Sequence, residues 1–134
     1  MSEVADEMKA RTMRFALDVC SLIKLLPASE PGPTVRRQLA KSATSVAFNY
    51  RASCRARSHA EFTAKTGLVA EEADESQGWL EFIEAAKLIA SGDVARLLAE
   101  ATELTKIVSA SYGKARYNER NKRNNQSRGA DGVR

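Results

Sequence analysis

The positions of the prolines constrain the fold of this chain more than any other feature of its sequence. All three prolines lie between positions 27 and 33, and about a hundred residues follow them without another. A proline inside a helix removes a hydrogen bond and clashes with the preceding turn, so long helices require such proline-free sequence. Only 6% of the 134 residues are aromatic, while aliphatic residues and alanine are abundant. We therefore expect a single all-α domain.

Apolar residues recur at alternating steps of three and four along four segments, which is the spacing of one face of a helix. These segments predict helices at about residues 3–26, 35–56, 59–90 and 93–113. The connections between them are short, and short connections place consecutive helices side by side in opposite directions. The predicted architecture is an antiparallel up-and-down four-helix bundle that occupies residues 1–113.

Capping residues mark several of the predicted helix ends. Thr34 is a candidate N-cap of the second helix, and Ser58 and Glu61 have the spacing of a capping box at the third. In a capping box the serine hydroxyl accepts from the glutamate N–H, and the glutamate side chain accepts from the serine N–H. Tyr112 and Gly113 form a reasonable end for the fourth helix.

The end of the chain differs from the rest in composition. Residues 114–134 contain seven bases, two acids and almost no apolar side chains. Such a segment cannot bury enough apolar surface to offset the entropy lost on ordering. The sequence therefore predicts a disordered basic C-terminal tail at 114–134, which should be removable without unfolding the bundle.

The third predicted helix has an unusual stripe in its middle. This stripe is small and partly polar, with Thr66, Ala73 and Ser76, and Gly67 lies alongside it. Small side chains allow close approach of helices, either inside the bundle or against another subunit. The sequence leaves both interpretations open.

Charge is unevenly distributed along the predicted bundle. Segment 35–65 contains seven bases and one acid, whereas segment 71–84 contains six acids and no base. Two of the bases, Arg51 and Arg55, are four residues apart and are predicted to share one face of the second helix. Those near the start of that helix are expected to form a separate patch. The candidate nucleic-acid-binding residues are Arg36, Arg37, Lys41, Arg51, Arg55 and Arg57.

A structural role accounts for the same arginines equally well. Positive charge at the end of a helix complements the helix dipole, which explains Arg55 and Arg57 without a ligand. The acidic segment 71–84 could also neutralise the bases, within the bundle or between subunits. Composition alone does not decide between phosphate binding and these structural roles.

The residues that catalysis would require are missing from the sequence. A di-iron bundle needs Glu-x-x-His spacing, and the single histidine lacks a glutamate three residues before it. Glu71, Glu72 and Glu75 lie on one predicted helix, and one helix cannot close a metal coordination shell. The glycines are scattered, and Cys20 and Cys54 match no metal or redox spacing. We expect no enzymatic activity, no metal and no cofactor.

Hydropathy predicts the cellular setting. No apolar run approaches the ~18 residues that span a bilayer, and the N-terminal sequence lacks the apolar core of a signal peptide. We therefore expect a soluble, cytoplasmic protein without membrane contact, whose two cysteines are free thiols in a reducing compartment.

A series of short motifs carries a resemblance to a known family. The similarity extends over about residues 8–113 and is dense between 36 and 84. In order, the motifs are Arg36-Arg37-Gln38-Leu39, Thr44-Ser45-Val46, Asn49-Tyr50-Arg51, Arg55-Ala56-Arg57-Ser58, Glu71-Glu72-Ala73-Asp74-Glu75-Ser76 and Trp79-Leu80-Glu81. The chain resembles the bacterial four-helix bundle protein family, also called the intervening-sequence or S23 family, some of whose members are encoded within insertions of large-subunit ribosomal RNA genes. It departs from the family pattern at Phe48, where a small residue is usual.

The resemblance implies an up-and-down bundle that assembles as a ring-like homopentamer. It also implies similarity to the accessory variability determinant of diversity-generating retroelements, a basic pentameric bundle that partners a reverse transcriptase and nucleic acid. In such an assembly Ser42, Ser45 and Asn49, which fall on one face of the predicted second helix, are either subunit contacts or solvated surface.

Two functions of different classes follow as expectations. The first is a nucleic-acid-binding accessory factor that contacts RNA or single-stranded DNA through basic surfaces and the tail. The second is an oligomeric adaptor or assembly protein with no nucleic-acid role, in which charges of adjoining subunits neutralise the arginines. Both predict a homo-oligomer whose contacts involve the second and third helices.

Overall fold

The computed structural model describes residues 2–131 and contains four α-helices. These are α1 (Glu3–Leu22), α2 (Gly32–Ser53), α3 (His59–Ala85) and α4 (Asp93–Asp131), and a short 3-10 helix at Ile23–Leu25 follows α1. No strand occurs between residues 2 and 131, so the all-α prediction is confirmed. None of the helices in this range combines the length and apolar composition that a bilayer span requires.

The helices form an antiparallel up-and-down bundle. α3 packs against both α2 and α4, whereas α1 packs mainly against α2 and has a narrower contact with α4. Each helix turns one apolar stripe toward the common interior, and burial of each large side chain contributes ~1.5–3 kcal/mol. The largest fully buried apolar side chains are Phe15, Leu39, Leu80, Ile83, Leu97 and Leu104.

The small stripe of α3 lies inside the bundle. Thr66 and Ser76 are buried, and the Ser76 hydroxyl lies 2.8 Å from the hydroxyl of Ser42, so a hydrogen bond joins α3 to α2 within the core. A side chain at Gly67 would come within 3.0 Å of the Tyr112 ring, so this glycine admits the ring of α4. These small residues serve close packing within one chain and give no reason for contact with another subunit.

The connection between α1 and α2 depends on a glycine. A Cβ at Gly32 would lie 1.8 Å from the Pro27 carbonyl oxygen, so a larger residue requires movement of the backbone. α2 begins at this glycine and has Pro33 in its first turn, where a proline sacrifices no helical hydrogen bond. The predicted N-cap role of Thr34 is therefore wrong. Thr34 lies inside the helix, and its hydroxyl donates to the Glu30 carboxylate.

The start of α3 contains one half of the predicted capping box. The Ser58 hydroxyl accepts from the Glu61 N–H at 3.0 Å, as predicted. The Glu61 carboxylate, however, accepts from the N–H of Arg57 at 3.4 Å rather than from that of Ser58. The donor to the Glu61 carboxylate is therefore one residue earlier than predicted and lies in the connection that follows α2.

α3 ends in a capped turn, although its sequence lacks the glycine that usually marks such a cap. The Leu88 N–H donates to the Ile83 carbonyl at 3.1 Å, and the Lys87 N–H donates to the Glu84 carbonyl at 3.2 Å. Lys87 has a φ of 54°, so these bonds form a Schellman motif, which usually has glycine at the left-handed position. Because lysine stands there instead, the sequence places the helix end near residue 90 rather than at Ala85.

α4 continues far beyond its predicted end. Gly113 lies within the helix, so the predicted end there and the predicted disorder of residues 114–131 are wrong; residues 132–134 of the predicted tail lie outside the described residues. No proline or glycine interrupts residues 114–128, and alanine, lysine, arginine and glutamate there favour helix. Ala115 is buried, whereas side chains from 116 to 130 are exposed, apart from a half-buried glutamate. We term residues 114–131 the α4 extension.

Candidate nucleic-acid interface

The six candidate residues differ in how far they are available to a ligand. Arg36 has a structural role. Its Nε and Nη2 donate to the carbonyl oxygens of Ile23 and Leu26, both at 3.3 Å. The Ile23 carbonyl also accepts from the Leu26 N–H at 3.2 Å, so the guanidinium adds a second bond there, reaches the Leu26 carbonyl that follows the 3-10 helix, and ties the end of α1 to α2. Arg36 is also half-buried. Two of the five guanidinium N–H donors are therefore used within the chain, which holds this side chain against the end of α1.

Arg57 is engaged by a weaker contact. Its Nε lies 3.9 Å from the Glu61 carboxylate, and its side chain is 92% exposed. An exposed ion pair of this kind stabilises a protein by at most ~1 kcal/mol. Arg57 therefore remains accessible to an anion, although Glu61 offsets part of its charge.

Three other candidates share the outer face of α2. Arg37, Lys41 and Arg51 are exposed, and Phe48 lies between the last two with 59% of its surface exposed. The steps of four, seven and three residues are close to whole numbers of helical turns, so all four side chains lie on one side of α2. We term these four residues the α2 ridge, which is about 21 Å long at 1.5 Å per residue. The expected separate patches are thus parts of one face.

Arg55 lies beyond the ridge, in the connection between α2 and α3. The N–H groups of Arg55 and Ala56 donate to carbonyls three residues back, which tightens the chain and ends α2 at Ser53 rather than near residue 56. The predicted helix face shared by Arg51 and Arg55 is therefore wrong. Arg55 is nevertheless exposed and follows the ridge at the end nearest Arg51.

The α2 ridge carries positive charge that neighbouring side chains do not pair. Residues 32–53 contain four bases and no acid, and no ion pair within the described chain involves the ridge cations. Burial and the adjacent Glu75 raise the pKa of Glu72 on α3, while the charge of Lys41 acts in the opposite direction. The charge of Lys41 therefore acts on Glu72, although the two side chains do not form a salt bridge.

The outer face of α3 has the opposite charge. Its Phe82 is 42% exposed, and the Trp79 ring packs edge-on against it with centroids 5.8 Å apart. Trp79 itself is half-buried. We term the exposed residues of this face the α3 acidic face; they are Glu71, Asp74, Glu75, Glu81 and Phe82.

The α4 extension adds bases that the sequence analysis did not place in a structured site. The Nε2 atom of His59, in the first turn of α3, lies 3.2 Å from the carbonyl oxygen of Ala115. The extension therefore leaves the bundle at the end where α2 stops and α3 begins, which is also the end of Arg51 and Arg55. The absence of proline and glycine from 114–128 could have indicated a helix. The bases are Lys114, Arg116, Arg120, Lys122, Arg123 and Arg128.

The remaining reactive side chains are two cysteines and a tyrosine, Cys20, Cys54 and Tyr50. Among the described residues, no cluster of histidine, cysteine or acidic side chains is arranged to hold a metal ion. Cys20 and Cys54 are free thiols. Burial, with a smaller contribution from Cys54, raises the pKa of Tyr50 to about 12, so its phenol is protonated at neutral pH. Tyr50 is partly buried and packs against the core.

Comparison with known proteins places this bundle in a family. The sequence model of the 23S rRNA-intervening sequence protein family matches residues 6–110. A crystal structure of a protein with unknown function from the S23 ribosomal protein family of Bacteroides thetaiotaomicron VPI-5482 superposes with a TM-score of 0.72 and 25% sequence identity, over 81% of this chain and 97% of that chain. No curated protein matches the sequence. The family match spans most of the four helices and confirms the resemblance in the motifs: the chain belongs to the 23S rRNA-intervening sequence protein family.

Proposed function

We propose that this protein is a non-enzymatic accessory factor that binds single-stranded nucleic acid, RNA or DNA, through the α2 ridge and Arg55. The observation that carries the proposal is the alignment of Arg37, Lys41 and Arg51 with an exposed phenylalanine on a helix without acids. The family description refers to intervening sequences of 23S rRNA and names no ligand, so the proposal covers RNA and DNA alike.

The ridge combines the two contacts that a single strand offers. Lysine and arginine neutralise phosphates and release counterions, while an exposed ring stacks on an unpaired base and contributes ~1–3 kcal/mol. Phe48 is 59% exposed, so its ring is available for stacking without any rearrangement of the core. Because phosphate contacts and stacking do not read base edges, binding should depend little on sequence.

One ridge alone makes a weak site, since non-specific binding at physiological salt has a Kd of about 10⁻⁴–10⁻⁶ M. The proposal therefore includes a homo-oligomer, with the pentamer that the family resemblance implies. Repeated ridges that engage one strand gain avidity because each later contact is intramolecular. A reverse transcriptase or another protein partner that acts on the same strand would fit this role.

The test is retention of a fluorescent oligouridylate at low salt by the wild type and by the variant R37Q/K41Q/R51Q. A control variant, R14Q/K24Q/K106Q, removes three exposed bases from α1, its following turn and α4, so both variants lose the same charge. We expect the ridge variant to lose most of its retention while the control keeps it. Equal retention by the two variants would refute the ridge as the binding surface.

A second candidate, an oligomeric adaptor without a nucleic-acid role, is favoured by a different observation. The α2 ridge and the α3 acidic face have opposite charge, and each contains an exposed phenylalanine, Phe48 and Phe82. Contact of one face with the other on successive copies is heterologous, and such contacts generate rings when the rotation closes. Ser45 and Asn49, which are half-buried on α2, would lie at the margin of this contact.

Particle mass separates the two functions. In the adaptor, the ridge itself is buried between subunits, so Phe48→Ser should dissociate the particle toward the 14.7 kDa of one chain in light scattering. If the ridge binds nucleic acid, the same substitution should leave the mass unchanged and weaken oligouridylate retention. A wild type that is monomeric would rule out the ring in both candidates.

A further inference from the structure

A groove lies between the first turns of α3 and the α4 extension. It has a volume of about 330 Å³ and is open to solvent. The wall formed by α3 contains only small side chains, which leave room for a ligand. The lining residues are Ala60, Thr63 and Ala64 on α3 and Tyr112, Arg116, Glu119, Arg120 and Arg123 on α4. We term this feature the α3/α4 groove.

Three arginines and Glu119 form the charged wall of the groove, which therefore has a net charge of +2. Arg116, Arg120 and Arg123 are spaced four and three residues apart, so they share one face of α4. The Arg116 guanidinium carbon lies 5.5 Å from the centre of the Tyr112 ring, and that ring is fixed in turn against Gly67. No ion pair between described residues uses these arginines. The groove therefore presents a row of free guanidinium groups, one of them oriented by an aromatic ring.

The α4 extension lacks the usual source of helix stability. After the buried Ala115 the extension is polar on all sides and gains little from packing, and cations four residues apart, such as Arg116 and Arg120, repel one another. Anions between the guanidinium groups would remove this repulsion. The arginine row is about 10 Å long at 1.5 Å per residue, which suits a polymer with regularly spaced charges better than a single carboxylate.

We propose that the α3/α4 groove binds the phosphate backbone of a single-stranded polynucleotide and is a second contact surface of this protein. The inference rests on the proposed function, because the same strand would engage the α2 ridge. Guanidinium groups bind phosphate oxygens through paired hydrogen bonds, for which the arginine fork is suited. The groove lies mostly in sequence beyond residue 110, where the family match ends, so it is a property of this chain's own extension.

The test compares two variants of the full chain that lose equal charge from the same helix. R116Q/R120Q/R123Q removes the groove arginines, whereas K114Q/K122Q/R128Q removes exposed bases that do not line the groove. The affinity for fluorescent oligouridylate is measured across a salt series. We expect the groove variant to reduce the magnitude of the negative slope of log affinity against log salt by about 2, since each single-strand phosphate contact contributes ~0.7. The control should change the slope by less than half as much.

The outcomes distinguish this inference from the proposed function. Equal slopes for the two variants would overturn the groove and leave the α2 ridge standing, provided that R37Q/K41Q/R51Q still weakens binding. A wild type that retains no oligouridylate would overturn both proposals. Competition by polyglutamate as effective as that by polyphosphate would show that the groove takes an acidic protein instead, which also overturns the inference.

A spectroscopic readout adds a test that does not depend on affinity. Far-ultraviolet circular dichroism should show a gain in helix when oligouridylate is added to the wild type, because phosphates relieve repulsion along the extension. The groove variant should start with more helix and gain less. A wild-type spectrum that does not change on saturation would contradict this account of what the groove binds.

Discussion

α2 and α3 are neighbours in the bundle with similar inward faces and opposite outward ones. Leu39 of α2 and Leu80 of α3 are both fully buried in the common core. On the outside, α2 presents the α2 ridge and α3 presents the α3 acidic face, each with one exposed phenylalanine. The inward apolar stripes determine the fold, and their side chains are buried within one chain. The outward faces add little to stability, so their contrast in charge is explained best by what each one contacts.

Truncation of a buried leucine should destabilise the protein by a similar amount on α2 and on α3. This loss of stability is the largest effect that we expect. Leu39→Ala and Leu80→Ala each remove a fully buried side chain and leave a cavity, so each should lower the free energy of unfolding by about 2–5 kcal/mol. Phe48→Ala is the exposed counterpart on α2 and should change it by no more than ~0.5 kcal/mol, whereas Phe82→Ala also removes the ring contact with Trp79 and should lower it by about 1 kcal/mol. Urea denaturation measures all four. A large loss for Phe48→Ala alone would show that the ridge is part of the structural core.

Substitution of a glycine by alanine should change the stability in opposite directions on α2 and α3. Gly32→Ala places a Cβ against the Pro27 carbonyl oxygen, so it should destabilise by about 1–3 kcal/mol, as overpacking does. Gly78→Ala adds a methyl group in open space on α3 and should stabilise by ~1 kcal/mol through helix propensity. Thermal melts of the two variants test this directly. Stabilisation by both would mean that the α1–α2 connection adapts to the added Cβ.

A substitution at the end of α3 should give a smaller increase in stability. Lys87 has a φ of 54°, where a side chain costs roughly 1 kcal/mol and glycine costs much less. Lys87→Gly should therefore raise the melting temperature by a few degrees. Ala86→Gly is the matched control, because Ala86 has a φ of −83° and needs no glycine. If both substitutions lower the melting temperature, the left-handed turn is not the conformation of this residue in solution.

Most of this architecture was predictable from the sequence because helix period and proline placement are local signals. The start of α3 at His59 follows from the Ser58 cap, which was predicted correctly. The end of α3 was not predictable because Lys87 replaces the expected glycine. The α4 extension is harder to predict because its lack of apolar residues favours disorder, whereas the helix propensity of 114–128 favours a helix.

The candidate site was only partly predictable for a similar reason. Sequence identifies bases but not what their side chains contact. Arg36 has the same sequence context as Arg37, yet it donates to two carbonyl oxygens while Arg37 is exposed. The exposure of Phe48 follows from its register on α2, and this exposure joins the cations into one ridge.

The seam between α2 and α3 should show the smallest effect, as a dependence of stability on pH. The raised pKa of Glu72 means that the folded state favours its protonated form. The wild type should therefore lose stability as the pH rises from about 4.5 through the raised pKa, and Glu72→Gln should lack this loss. Solvent screens this partly exposed group, so the difference should be at most ~0.5 kcal/mol. Glu71→Gln controls for net charge, and an equal effect of both variants would contradict the role assigned to burial.

The most direct test of the contrast between the two faces is an NMR titration of the protein with oligouridylate. The account predicts chemical-shift changes for the Phe48 ring and for the Nε–H signals of Arg37 and Arg51 on the α2 ridge. The Gly78 amide and the Phe82 ring on α3 should not move. Changes confined to α3, or a ridge that stays unperturbed at saturation, would contradict the claim that the basic face of α2 is the nucleic-acid surface of this protein.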